Sequence, residues 1–204
     1  MTGGIACGKS VVARLLAEKG CVLFYADREA HDLMRPGRPV WKAVVARFGP
    51  AVLRPDRSID RSRLGPLVFA DPAARKFLDG LVHPLVLIEQ EKAVGRLERA
   101  VGTPIFVVEA ALTVEAGYAR HFDRVIVVDC RKPEQVRRLR LRDGIGRAEA
   151  LRRIGTQMPA REKRKHADYV IDASGSLAGT VEQTERVYAQ LVRDAEMKRA
   201  TPSA

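Results

Sequence analysis

The first sixteen residues, MTGGIACGKSVVARLL (1–16), decide the fold. Residues 3–10, GGIACGKS, fit G-x-x-x-x-G-K-[ST], the phosphate-binding loop of nucleotide-using enzymes. The spacing predicts a backbone curled so that several amides point at phosphates, at the positive end of the next helix. Lys9 then places an ammonium on the β- and γ-phosphates, and the Ser10 hydroxyl reaches Mg²⁺. Gly3, Gly4, Ile5, Ala6, Cys7, Gly8, Lys9, Ser10 and Val11 form the expected nucleotide-contacting set. A chance glycine-rich turn is the alternative. The spacing, with a helix and then a strand following in order, argues against it.

Such a loop joins a buried strand to a helix, yet only Met1 and Thr2 precede this one. The first strand is therefore expected to be missing or truncated. Each large buried side chain in such a strand contributes about 1.5–3 kcal/mol, against a total stability of about 5–15 kcal/mol. A chain with this start is expected to fold poorly.

Downstream, KSVVARLLAE (9–18) has an apolar helical face with Gly20 as a stop. CVLFYAD (21–27) reads as a short strand ending in a carboxylate. VWKAVVARFG (40–49) reads as a helix closed by Gly49. PAVLRPDRSIDR (50–61) reads as loop. Asp71-Pro72 marks a helix start, and that helix is expected to break near His83-Pro84. TPIFVVEA (103–110), DRVIVVD (123–129) and ADYVID (167–172) read as strands. A basic helix is expected from Pro133 to Gly144, another helix over ALRRIGTQ, and an amphipathic one over 179–197, followed by a frayed tail. Strands alternating with helices give an α/β class with a mostly parallel central sheet flanked by helices.

The chain has 204 residues, and a net charge of +11. Between Arg131 and Lys165 thirteen Lys or Arg face four acids, so this segment carries +9 of the +11. The charge either binds nucleic acid or closes over a polyanion such as ATP. Aromatics are only 5% and are not interleaved with the basic residues, which weighs against base stacking. Three cysteines with no C-x-x-C pair fit a reduced, cytoplasmic protein without a disulfide framework or zinc site. No apolar run approaches a membrane span.

Candidate catalytic groups sit at strand ends, where open α/β sheets bind ligands. Asp27 is placed to take a proton from an acceptor hydroxyl, or to cap the following helix. Glu109 is placed to hold Mg²⁺ or its water shell, or simply to be solvated; Asp129 is similarly located. Arg138 and Arg142 lie four apart on one helical face and suit phosphate recognition. Arg147, Arg152 and Arg153 follow a Gly144 hinge, as in a closing lid. Arg164 and Lys165 read as exposed surface, His31 and His83 as structural hydrogen-bonders, and Trp41 as core. Cys7, near a helix N-terminus, is expected to have a lowered pKa.

The order of several blocks resembles the dephospho-CoA kinase family. They are TGGIACGKS, AD-x-x-AH-x-L-x-x-PG-x-P (26–39), LG-x-x-VF-x-DP-x-x-R (64–75), HP (83–84) and EAG (115–117). FD-x-VIVV (122–128), Q-x-x-RL-x-x-RDG (135–144), RI-x-x-QMP-x-x-EK (153–163) and ADYVID follow. The resemblance runs from Thr2 to about residue 192. It implies a P-loop kinase with three parts: a core (1–30, 101–137 and 166–204), a helical acceptor-binding part (about 31–100) and an Arg-rich lid (about 138–165). It implies transfer of the ATP γ-phosphate to the ribose 3′-hydroxyl of dephospho-CoA, with Mg²⁺, by a cytoplasmic monomer that engages neither nucleic acid nor membrane.

By position, Asp27 would be the base, and Lys9, Arg138 and Arg142 would serve the phosphates. Asp27, His31 and Arg61 would face the acceptor, and Ser10 and Glu109 the metal. The chain departs from the pattern at Tyr25, Cys7, Val11, EAALT (109–113) and Ala173. The EAALT departure weakens the assignment of Glu109. Competing readings are another small P-loop nucleoside or nucleotide kinase, a basic nucleic-acid-binding P-loop protein, and a product inactivated by truncation.

Overall fold

The computed structural model describes residues 1–101 and 105–200. The chain divides into two compact units, Met1–Phe24 with Thr103–Ala204, and Tyr25–Gly102.

In the first unit, strand β1 (Thr2–Gly3) is short but present. It pairs in parallel with β4 (Ile126–Asp129), Thr2 opposite Val127 and Gly3 opposite Val128. On its other side Met1 continues the ladder: its amine donates to Val108 O at 2.6 Å, and the Ala110 amide donates to Met1 O at 3.1 Å. Those partners lie on and just after β3 (Phe106–Glu109). β2 (Val22–Tyr25) pairs with β3, and β4 pairs in parallel with β5 (Tyr169–Asp172), Val127 opposite Val170. Through Met1 the order becomes β2-β3-β1-β4-β5. The first strand, expected to be missing or truncated, is present as the short β1. A central strand needs partners on both sides, and these residues have them.

Helices α1 (Lys9–Glu18) and α9 (Leu177–Ala200) cover this sheet. Val12, Ala13 and Leu16 of α1 and Val187 and Leu191 of α9 meet Val107, Ile126, Val128 and Ile171 in one core. β4 is buried at every position, as a doubly covered central strand requires. α9 extends three residues beyond the expected end, through Lys198–Ala200; residues 201–204 of the anticipated frayed tail, and Thr103-Pro104 of the anticipated strand, lie outside the described residues. Three further helices belong to this unit: α6 (Lys132–Asp143), α7 (Arg147–Gly155) and α8 (Ala160–Arg164). α6 stops at Gly144, whose φ is 66°.

The second unit is helical: α2 (Ala26–Leu33), α3 (Pro39–Phe48), α4 (Arg61–Ala70) and α5 (Pro72–Val101). Val40, Trp41 and Val44 of α3 are buried, and Trp41 Nε1 donates to Arg57 O at 2.8 Å. Asp71 Oδ1 accepts the Ala73 amide ahead of α5, with Pro72 at the first helical position. Two expectations fail here. α5 does not break at His83-Pro84 but runs through Pro84. The buried side chains of Val82 and Val86 flank the proline, and their packing offsets the lost backbone hydrogen bond. α4 forms where no helix was legible, although Gly65 and Pro66 lie inside it. The Asp60 carboxylate accepts the Ser62 amide and nucleates its first turn.

Candidate functional site

The loop between β1 and α1 has the curl that its spacing predicts. Ala6 and Gly8 take left-handed backbone conformations, with φ of 58° and 94°, and the Cys7 amide donates to Gly4 O at 3.2 Å. At Gly8 the positive φ favours glycine, and an added β-carbon would stand 3.4 Å from the Ala173 methyl and 3.7 Å from Arg138 Nη1. The loop feeds into α1, whose first-turn amides a helix cannot satisfy internally. Negative groups are favoured at that end. Ser10 is exposed there and Lys9 is half-buried.

Side chains from the basic segment hold this loop. Gln135, buried on α6, donates from Nε2 to Ile5 O at 2.8 Å. Gln157, just beyond α7, accepts the Ile5 amide on Oε1 at 2.7 Å. Arg138 donates from Nη2 to Ala173 O at 2.7 Å and from Nε to Glu134 at 2.6 Å. Its guanidinium is therefore fixed beside Gly8. Arg142 is not brought to the loop; it is exposed and paired with Asp143 at 2.7 Å. Both glutamines lie in family-like blocks, Q-x-x-RL and QMP, that by themselves assign them no role. Side-chain amides holding backbone leave no periodic signal.

At the end of β3, half-buried Glu109 lies near the Met1 amine. Burial lowers that amine from 8.0 to about 5, with the Glu109 carboxylate opposing and Lys9 reinforcing the shift. Asp129 is committed elsewhere. Buried at the end of β4, it accepts the Cys130 amide at 2.7 Å and Arg164 Nε at 2.8 Å. Arg164 is exposed, as expected, and also anchors a buried carboxylate. Cys130 donates to Cys7 across 3.4 Å between sulfurs. That hydrogen bond lowers the Cys7 thiol and raises its partner. The direction at Cys7 is the expected one, and its main cause is this second thiol.

The other predicted residues form a group in the second unit. Asp27 is exposed in the first turn of α2, and His31 follows four residues later on the same face. Arg61 opens α4. Desolvation lowers its pKa, while the Asp27 carboxylate pushes it back up. Asp27 and Arg61 thus share one electrostatic neighbourhood.

The donor set fits a nucleotide and its metal. The loop is shaped as an anion cradle. Among the described residues no cluster of three or more His, Cys, Asp or Glu could hold a metal alone. Among the described residues, no helix is long and apolar enough to cross a membrane.

A family model described as dephospho-CoA kinase matches residues 1–179. A dephospho-CoA kinase of Syntrophus aciditrophicus is 37% identical over 204 residues, covering all of this chain and 87% of that protein. One of Symbiobacterium thermophilum is 43% identical over 188 residues, covering 92% of this chain and 78% of the relative. Among solved structures, TT1252 from Thermus thermophilus superposes with a TM-score of 0.80 at 34% identity, covering 93% of this chain and 95% of that one. Dephospho-CoA kinase from Campylobacter jejuni superposes with a TM-score of 0.68 at 27% identity, covering 95% and 96%. Matched over most of its length by both the family model and these relatives, the chain belongs to the dephospho-CoA kinase family.

Proposed function

We propose that this protein transfers the γ-phosphoryl group of ATP to the ribose 3′-hydroxyl of dephospho-CoA, giving coenzyme A. The observation that carries the reading is the phosphate loop with the Arg138 guanidinium fixed beside Gly8, in a chain matched by the family over residues 1–179. Loop amides and Lys9 hold the triphosphate, Ser10 and Glu109 would hold Mg²⁺ or its water when it is bound, and Arg138 neutralises charge on the moving phosphoryl group. Mg²⁺, when bound, supplies charge neutralisation across the phosphates. Asp27 accepts the acceptor hydroxyl proton, and His31 and Arg61 orient the acceptor. Arg142 turns from Asp143 to phosphate when residues of about 138–165 close as a lid.

The basic segment does not favour nucleic acid. Eight of its thirteen cations are already paired with acids: Arg137, Arg138, Arg142, Arg152, Arg153, Lys163, Arg164 and Lys165. Phosphate transfer from ATP to dephospho-CoA, adenosine and AMP, followed side by side, tests the reading. Coenzyme A is the expected product, with turnover of the other two at background. Equal or faster turnover of AMP or adenosine would assign a different acceptor.

A further inference from the structure

The segment that carries Arg138, Arg142, Arg152 and Arg153 is fastened to the phosphate loop at both ends, and both fastenings meet one residue. Gln135, one turn before Arg138, donates to the carbonyl of Ile5 at 2.8 Å. Gln157, four residues after Arg153, accepts the amide of the same Ile5 at 2.7 Å. Gln135 is buried, and Gly4 leaves it room: a β-carbon there would stand 2.7 Å from Gln135 Nε2. Beside Gln157, the Met158 amide donates to Glu115 Oε1 at 3.3 Å, pinning the same stretch a second time. Ile5 is thus held at both its amide and its carbonyl.

We infer that Gln135 and Gln157 are positioning residues that set the arginine-bearing segment against the triphosphate site through the backbone of Ile5. The inference rests on the loop being the nucleotide site. A loop whose amides must meet phosphate oxygens at hydrogen-bond distance tolerates little rotation, and the Ile5 peptide groups are where rotation would begin. The same two bonds hold the loop against the segment that carries Arg138, whose guanidinium is itself oriented by Ala173 O and Glu134. Neither glutamine touches substrate; each acts through the loop.

The test uses Gln135→Met and Gln157→Met in the full chain, since methionine keeps length and volume but neither donates nor accepts as an amide does. Each variant should lower kcat/KM for ATP about tenfold, the effect of one lost hydrogen bond in a desolvated site. KM for dephospho-CoA and the melting temperature should stay near those of the parent chain. Amide hydrogen exchange separates the two roles: Gln157→Met should speed exchange at Ile5, and Gln135→Met, which frees only the carbonyl, should not. Combined, the substitutions should fall short of the product of the single effects, because both act on one residue. The inference is overturned if both single variants stay within about twofold of the parent in kcat/KM for ATP, well below the expected loss. It is overturned equally if Ile5 exchange is unchanged in Gln157→Met, or if losses spread evenly over both substrates with a fall in melting temperature. Lys9→Ala is the control for the underlying reading: full ATP binding by that variant would refute the loop as the nucleotide site, whatever the glutamine variants do.

Discussion

The Cys7 sulfur lies 3.4 Å from the Cys130 sulfur, one in the phosphate loop and the other just after β4. Both thiols are buried. A hydrogen bond from Cys130 lowers the Cys7 thiol, so it is the one with more thiolate character. Hydrogen peroxide should join the pair: the two thiols lose their hydrogens, the S–S bond forms, and peroxide is reduced to two waters. The bond would draw the loop toward the end of β4 and lower ATP turnover about tenfold or more, as small displacements of positioned groups do. Dithiothreitol should restore activity, and intact mass should show the loss of two hydrogens. Persistence of that mass change in Cys130→Ser would disprove this pairing.

Asp27 can be removed with little structural cost, because it is exposed in the first turn of α2 and no side-chain cap is made there. Asp27→Asn should lower kcat by about 10²–10⁴, the range for a lost general base. ATP binding, followed by calorimetry, should be unchanged. A variant that forms coenzyme A at the parent rate would remove Asp27 from the mechanism.

The Met1 amine gives a pH signature. Its pKa falls from 8.0 unfolded to about 5 folded because burial disfavours the ammonium. Between those values the unfolded chain binds the extra proton, so stability must rise with pH across that window. The contribution is fully present above about pH 8, declines as pH falls, and is gone near pH 5. Its ceiling, three pKa units, is about 4 kcal/mol. Urea melts of the 204-residue chain at intervals from pH 5 to 8 should show this rise, whereas a flat profile would place the amine in water.

Lys163 is 1% exposed, and its ammonium meets Glu115 at 2.8 Å and Ala111 O at 2.9 Å. Ala111 O also accepts the Thr2 hydroxyl at 3.0 Å, so this lysine braces the turn beside the strand that opens the phosphate loop. Lys163→Ala strands the Glu115 carboxylate, whose Oε2 already has no hydrogen-bond partner. The expected loss is about 3–5 kcal/mol, as when one member of a buried pair is removed. Lys163→Met with Glu115→Leu, which removes both charges, should recover much of it. Chemical denaturation measures both; equal stability of Lys163→Ala and the parent chain would contradict the brace.

The sequence by itself determined the phosphate loop, the α/β alternation and the family, because each is written in local spacing or block order. A glycine pattern such as GGIACGKS states its own backbone, and an apolar run such as VIVV states its own burial. The sequence pattern puts Asp27 at a strand end, whereas β2 stops at Tyr25 and Asp27 lies in the first turn of α2, which follows directly. What it could not state were contacts between distant positions. Met1 between β3 and β4, the thiol pair, the Arg164–Asp129 bridge and the two glutamines on Ile5 join residues far apart in the chain. The same holds for α5, where packing at Val82 and Val86 carries the helix through Pro84. Local propensity is a weak prior that tertiary packing overrides. The identity of a side chain sets which bonds it can make, and only the packed chain decides which partner comes within 3 Å.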